Sequence, residues 1–373
     1  MSRVARSAPW TDGAPRILFD CRYTRLERHD GISRFTAELV AALGRRHPVV
    51  MLISDERQLT MLPELPHVLG PSPTSLLEPL IAPRALNRLE PDIVFSPMQT
   101  IGPLRRRYPL VTTVHDLIYY RHPTPPRELP AIVRALWRLY HLSYGPQRWL
   151  LNQADGVVTV SETTRDLIAA HRLTRRPVQV VTNAVAHPDA PPERAAPDGR
   201  ELLYTGSFMP YKNVETLARA MHRLPGWRLR LLSRVPAAAR RRLTALAPDG
   251  ALEFLDGVDD AAYAAALSSA RALVTASREE GFGLPVIEAM AAGTPVAVSD
   301  IPIFREITGG EAEYFAADSD AEAAAAIERL ADDARWRERS TAGEAWSRRY
   351  DWDRSAAVLL DFLLGVVSAS TRR

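Results

Sequence analysis

Short apolar runs alternate with helix-spaced apolar positions along most of the chain. Residues 17–19, 49–53, 92–96, 110–114, 156–160 and 178–182 are runs of strand length, several bounded by proline or glycine, as strands buried on both faces of a sheet are. Residues 31–43 place Ile32, Phe35, Leu39, Val40 and Leu43 at helical spacing. Ser161 stands where an N-cap is expected for a helix running to about His171. Strands alternating with helices predict a parallel, doubly wound α/β sheet.

The second half repeats the alternation. Strands are expected at 201–205, 229–232, 252–255, 272–275 and 295–298, with helices from 213 and over 260–270, 285–292 and 320–331. An amphipathic helix over about 353–367 ends the chain. Residues 186–200, AHPDAPPERAAPDGR, are proline-rich and lack apolar periodicity, which marks a linker. The organisation expected is a disordered tail at 1–15, a Rossmann-like domain at 16–185, the linker at 186–200, a second Rossmann-like domain at 201–350, and a C-terminal helix and tail at 351–373. A length of 373 residues suits two cores better than one.

Composition narrows the class. The chain is 46% apolar and 24% charged, ordinary for a globular protein. Residues 1–15 carry Arg3 and Arg6 but no apolar core, so no signal peptide is expected, and no run approaches eighteen apolar residues, so no membrane span is expected. The single cysteine, Cys21, excludes an intrachain disulfide and reads as a small core residue; a cytoplasmic setting fits. Residues 1–184 hold 24 arginines against 16 acidic residues, and residues 185–373 hold 23 basic against 28 acidic. The basic first half either meets an anionic partner or is an uneven surface without a role. Lys212 is the only lysine, so its site is one where a compact point charge rather than a planar fork is wanted, unless one surface lysine has survived by chance.

The stretch Glu280-Gly-Phe-Gly-Leu-Pro follows the strand at 272–275 and opens the helix at 285–292. Pro285 suits the first turn and Gly293 the position just past the end. Free N–H groups at such a helix start attract anions, and the glycines let backbone approach a ligand. Glu280 and Glu288 flank the loop, where carboxylates accept from sugar and ribose hydroxyls. The other reading is a tight turn followed by a solvated glutamate. GxGxxG is absent throughout, against a dinucleotide-binding oxidoreductase.

The segment Ser277-Arg-Glu-Glu-Gly-Phe-Gly-Leu-Pro-Val-Ile-Glu-Ala-Met-Ala-Ala-Gly-Thr-Pro-Val-Ala-Val-Ser-Asp300 resembles the E-x7-E signature of retaining, GT-B-fold glycosyltransferases of family 4. Tyr204-Thr-Gly-Ser-Phe-Met-Pro-Tyr-Lys-Asn-Val214 resembles the family's diphosphate-binding pattern and puts its lysine on Lys212. Gly31-Ile-Ser-Arg-Phe, Val114-His-Asp-Leu, Val160-Ser-Glu and Val181-Thr-Asn are further matches, and the resemblance spans roughly residues 16–365. It implies two doubly wound domains facing each other across a cleft, with the C-terminal helix packing back toward the first. It implies that Glu280 holds hydroxyls of the transferred sugar and Glu288 those of the ribose. Gly281, Phe282, Gly283 and Leu284 would border the sugar and diphosphate, Gly206 and Ser207 the donor, and Val258 the base. Lys212 would stabilise the charge developing on the leaving diphosphate. Where the family often carries an arginine, this chain has Ser207 and Tyr211; Arg234 is the candidate substitute, with a solvated arginine as the other reading.

His115 stands just past a strand, where doubly wound folds place their sites, and the resemblance puts it near the sugar. Asp116 either joins it or caps a turn. Gly31, with Ile32 and Ser33, would offer a second helix start near the diphosphate, or is a plain helix start. Catalysis would then rest on His115, Lys212 and Glu280. The family's front-face reaction, in which the leaving diphosphate helps deprotonate the acceptor, agrees with the lack of a Ser-His-Asp or Cys-His constellation. No cofactor and no metal are expected; Asp318-Ser-Asp320 has the short DxD spacing but reads as a helix cap. Residues 131–150 mix Arg134, Arg138 and Arg148 with Trp137, Tyr140, Tyr144 and Trp149. With Arg105, Arg106 and Arg107 they either dock an anionic lipid or membrane surface or form a solvated basic edge of the cleft. Nucleic acid is not expected. The function that follows is transfer of a hexose from a nucleotide-diphosphate sugar to a glycan or glycolipid hydroxyl. The style of Gly31-Ile-Ser-Arg-Phe and Lys212-Asn213 looks like the mannosyltransferase-like branch, which ranks mannose from GDP-mannose first and a UDP-sugar second. The alternative is a silent relative that binds nucleotide sugars as a sensor or partner subunit.

Overall fold

A computed structural model describes residues 9–75, 78–99, 101, 105–125, 131–187 and 195–371. They form two compact units, one running to Asn183 and taking in the chain from Trp352 onward, the other spanning Ala184–Asp351. The first contains a seven-stranded sheet of β1 (Ile17–Asp20), β2 (Val49–Ile53), β3 (His67–Leu69), β4 (Ile93–Ser96), β5 (Leu110–Val114), β6 (Gly156–Thr159) and β7 (Val178–Val180). Its order is β3-β2-β1-β4-β5-β6-β7 and every pairing is parallel. β1, β2, β4, β5 and β6 are buried along their whole length, which is why they read as unbroken apolar runs.

The second unit holds β8 (Glu201–Tyr204), β9 (Arg228–Leu231), β10 (Leu252–Phe254), β11 (Ala272–Thr275), β12 (Val296–Ser299) and β13 (Glu313–Phe315). The order is β10-β9-β8-β11-β12-β13, again all parallel. In each sheet the strand order reverses once, between β1 and β4 and between β8 and β11. Loops leaving the carboxyl ends of strands at such a reversal diverge and leave a crevice.

The last helix, Trp352–Thr371, belongs to the first unit. Leu359 and Leu363 are fully buried, and the helix packs along Gly31–Gly44, with the Phe35 and Trp352 rings 6.1 Å apart. A Cβ on Gly156 would stand 2.8 Å from Phe362, so β6 needs a glycine where this helix crosses it. By length and composition this helical region is apolar enough to cross a membrane, contrary to the expectation drawn from unbroken apolar runs. Few charges interrupt it, and the buried side of Trp352–Thr371 is spent on its own unit.

Other expectations need correcting. The tail expected over 1–15 is in place from residue 9, where Trp10 Nε1 donates to the Leu89 carbonyl at 2.7 Å and its ring packs on the sheet's core; residues 1–8 lie outside the described residues. Residues 188–194 of the expected linker also lie outside them. β3 and β13 were not expected. β3 is a three-residue edge strand, and β13 begins with Glu313, a buried carboxylate ringed by Arg329, Arg335 and Arg339, so neither has an apolar run. The helix Asp333–Ser347 escaped because its sequence is charged and its large anchors are only Trp336, fully buried, and Trp346, which donates to the Ile307 carbonyl.

Replacing Leu363 by alanine should destabilise the first unit by about 2–5 kcal/mol, the usual range for a buried leucine. Urea melts of both proteins check this, and a loss under about 1 kcal/mol would contradict the packing of the last helix.

Candidate active site

In the second unit, Lys212 follows β8 and Glu280 follows β11, the two strands on either side of the reversal. Their side chains meet, with Lys212 Nζ 2.5 Å from Glu280 Oε1, at 17% and 13% exposure. The Ser277 hydroxyl donates to the same oxygen at 2.8 Å. An ammonium has three donors, so after serving Glu280 it can still serve an anion. Tyr211 lies under it, its ring centroid 5.5 Å from Nζ.

The turn that carries the lysine is fastened to the loop that carries the glutamate. Arg278 N–H donates to the Tyr211 carbonyl at 2.8 Å, and its guanidinium donates to the Pro210 carbonyl and Asn213 Oδ1, each at 3.0 Å. Asn213, buried and left-handed at φ 52°, donates to the Ala317 carbonyl at 2.6 Å. Asparagine tolerates that conformation better than most residues, which accounts for the Lys-Asn pair. Asp318 completes the fastening by pairing with Arg278. Asp318-Ser-Asp320 forms the helix cap expected of it, through Ser319, whose hydroxyl accepts from Glu322 N–H, while Asp320 pairs with Arg223.

The helix after the glycine-rich loop is Leu284–Ala291, with Pro285 in its first turn and Gly293 left-handed just past its end. Its N-cap is Gly283, at φ 101°, and no side chain caps it. A Cβ on Gly283 would lie 2.9 Å from the Phe304 ring, so both conformation and space demand glycine. Gly281 and Leu284 flank it half-buried, whereas the Phe282 side chain is buried against Tyr350, leaving only backbone to offer a ligand. Glu288, one turn in, accepts from the Tyr263 hydroxyl at 2.8 Å. Tyr263 lies on the helix Asp260–Ser269, which begins just after Val258 and the left-handed turn Asp256-Gly257. Gly206, at φ 148°, donates its N–H to the Ser233 hydroxyl oxygen at 2.9 Å, and the Ser207 carbonyl accepts from the Tyr204 hydroxyl at 2.6 Å. Arg234, next to Ser233, is exposed. Gly206, Ser207, Lys212, Arg234, Val258, the segment 280–284 and Glu288 thus all leave the carboxyl ends of β8, β9, β10 and β11. Sequence reading missed Arg278, Asn213, Ser277 and Tyr263; the lone aromatic in an alanine-rich helix was a signal for Tyr263.

His115 and Gly31 belong to the first unit. His115 Nε2 lies 2.7 Å from the Pro97 carbonyl, which only accepts, so Nε2 carries the proton and Nδ1 is an acceptor in the neutral ring. Burial lowers the imidazole's pKa below its ordinary value, against the opposing pull of the Pro97 carbonyl and of Asp30. Phe35, on the helix that Gly31 opens, meets the His115 ring edge-on at 5.2 Å. Asp30 caps that helix by accepting from Ser33 N–H, so a carboxylate already stands at its start. Asp116 Oδ1 accepts from Ile118 N–H, the turn-capping alternative. Burial pushes the Cys21 thiol well above its usual range, leaving it an inert core group. Arg106 pairs with Asp155 and serves the Gln153 carbonyl ahead of β6, at the amino ends of the strands, so it does not join the helix Ala131–Tyr140, which lies beyond the carboxyl end of β5.

Two family models match the chain, Glycosyltransferase Family 4 over residues 29–187 and Glycosyl transferases group 1 over residues 199–333. The chain is 30% identical over 276 residues to O-antigen chain mannosyltransferase B of Escherichia coli, covering 65% of this chain and 67% of that one. It is 28% identical over 284 residues to the GDP-mannose:cellobiosyl-diphosphopolyprenol alpha-mannosyltransferase of Xanthomonas oryzae pv. oryzae, covering 66% and 74%. Among solved structures, Anabaena HepE in complex with UDP and glucose superposes with a TM-score of 0.71 at 17% identity, over 94% of this chain and all of that one. Two parallel α/β units of this topology, together with these matches, define a GT-B glycosyltransferase. The chain belongs to glycosyltransferase family 4.

Gly283→Ala should cost about 1–3 kcal/mol, the usual range for a residue forced into a disfavoured backbone region; a thermal melt matching wild type would contradict the backbone geometry. His115 should titrate below 6.5 and show the Nε2–H tautomer by NMR of the ring nitrogens. Between that lowered value and 6.5 the unfolded chain binds the proton more readily, so the folded state loses stability as pH falls through the window. A midpoint at or above 6.5 would overturn the assignment.

Proposed function

We propose that the protein is a retaining mannosyltransferase that takes mannose from GDP-mannose, with a UDP-sugar as the second choice of donor, and moves it to a hydroxyl of a glycan or glycolipid. The observation that carries the reading is the contact of Lys212 with Glu280, beside an uncapped helix start. GDP-mannose and mannose come first because the Escherichia coli and Xanthomonas relatives are named mannosyltransferases, the latter with GDP-mannose as donor. The Anabaena protein, bound to UDP and glucose, supports only the second choice.

In this reading the diphosphate lies at the start of the helix Leu284–Ala291 and takes the two remaining donors of Lys212. Glu280 accepts from hydroxyls of the sugar. Glu288, already oriented by Tyr263, accepts from the ribose, and Val258 borders the base. The acceptor oxygen bonds to the anomeric carbon on the face from which the diphosphate leaves; the bond from that carbon to the phosphate oxygen breaks, and the acceptor's proton passes to the departing diphosphate. Lys212 and the helix start stabilise the charge that develops there. Neutral His115 offers Nδ1 to a substrate hydroxyl. No metal takes part: Asp318 and Asp320 are each paired with an arginine. The enzyme works in the cytoplasm, at the inner surface of a membrane that its basic half meets. Against the silent-relative alternative stands that Lys212, Glu280 and Glu288 are each present and held by a hydrogen-bond partner.

Release of free GDP or UDP from a panel of nucleotide sugars, with acceptor extract supplied, tests this. Turnover should be fastest with GDP-mannose, be unchanged by a chelator, and fall about 10²–10³-fold in Lys212→Ala and Glu280→Ala, as when one charge-stabilising group is removed. Binding without turnover would favour the silent relative, and wild-type rates in both variants would sink the site.

A further inference from the structure

The helix Ala131–Tyr140 is amphipathic but turned the wrong way round for a domain surface. No residue of it is buried. Ile132, Leu136 and Leu139, on one stripe, are 73%, 60% and 63% exposed, and Leu142 just beyond is 77% exposed. The opposite face carries Arg134, Trp137 and, past the end, His141, and it is this face that meets the unit: Trp137 lies 5.0 Å from the Tyr119 ring, and His141 lies 5.0 Å from that of Tyr120. A surface helix ordinarily buries its apolar stripe, and a contiguous exposed patch of this kind marks an interaction site.

We infer that this stripe docks on a bilayer containing anionic lipid. Residues 131–153 contain Arg134, Arg138 and Arg148 and no aspartate or glutamate. Arg138 and Arg148 are exposed, and Trp149 on the next helix, Gly145–Gln153, is 58% exposed. Apolar side chains flanked by arginine and a tryptophan suit the boundary between acyl chains and anionic headgroups. A second copy fits less well, because pairing two such stripes would crowd arginines with no carboxylate in the segment to receive them. The inference gives a surface to the membrane contact proposed above and is independent of the donor and the reaction.

Sedimentation with phosphatidylcholine vesicles, with and without phosphatidylglycerol, tests it, using full-length protein. Wild type should bind the anionic vesicles, more weakly as salt rises, and the Trp149 emission should shift to the blue. Leu136→Asn with Leu139→Asn should keep the wild-type melting temperature, since both side chains are exposed, yet bind about tenfold more weakly, as expected for lost interfacial burial. Arg138→Glu should remove the preference for anionic lipid. Unchanged binding in the double variant would overturn the inference. So would a wild-type dimer that the same variant dissociates, with no vesicle binding, which would give the stripe to a second copy. Nucleotide release by the double variant, measured without vesicles, separates this outcome from failure of the proposed function.

Discussion

The contact between Lys212 and Glu280 exists because β8 and β11 are neighbours although sixty-odd residues of β9 and β10 lie between them in sequence. Ala272 pairs with Leu202 and Leu273 with Leu203, so the two strands end level and their loops start from one edge. One loop turns toward β9 and the other toward β12, which opens the space between them. A lysine serves this place better than an arginine. Glu280 would take two donors of a guanidinium in its plane, whereas an ammonium gives one and keeps two for a ligand. In a chain that otherwise uses arginine throughout, that is a physical reason for the one lysine.

Around this pair, the second unit fixes positions before a ligand arrives. Arg278 is exposed and its ion pair with Asp318 contributes little to stability. Its value lies in geometry, since one side chain holds two points on the Lys212 turn to the loop that carries Glu280. Tyr263 does the same for Glu288, and the buried Ser277 ties Glu280 to the end of β11 through Thr275. Polar groups whose rotamers are set in advance lose less freedom on binding. Where the family pattern expects an arginine beside the lysine, Tyr211 instead puts a ring face near the ammonium.

The strands were legible where burial on both faces makes a continuous apolar run, as at β2, β5 and β11, and their ends came within a residue or two. The glycine-rich loop was legible because Gly283 and Gly293 are required by backbone conformation, and Pro285 by the helix start. What escaped was held by polar contacts between distant residues. Glu313 is buried only because three arginines from two later helices surround it, and nothing near it in sequence says so. Arg278 and Tyr263 act through partners about 65 and 25 residues away, and such pairings leave no periodic trace. The mixture of arginine and aromatic residues over 131–150 was legible, but the exposed apolar stripe was not, because which face turns outward is decided by Tyr119 and Tyr120, on a different element.

The two units also differ in how charge is used. The first carries 27 basic against 18 acidic residues, the second 20 against 26. A nucleotide diphosphate is an anion, yet its candidate site lies in the unit with the negative balance. That unit's own charge balance therefore does not favour the donor at long range. Affinity there must come from contacts at a few ångströms, namely one ammonium, an uncapped helix start and glycines that leave the backbone bare, which salt screens little once they are shielded from water. The basic unit stands in the opposite regime: its surplus is spread over exposed arginines, which act over the Debye length and suit an extended anionic surface rather than a small ligand. If the proposed donor site and the proposed membrane contact both hold, the charge asymmetry separates the two tasks by range, with short-range recognition of one small anion in one unit and long-range attraction to a surface in the other.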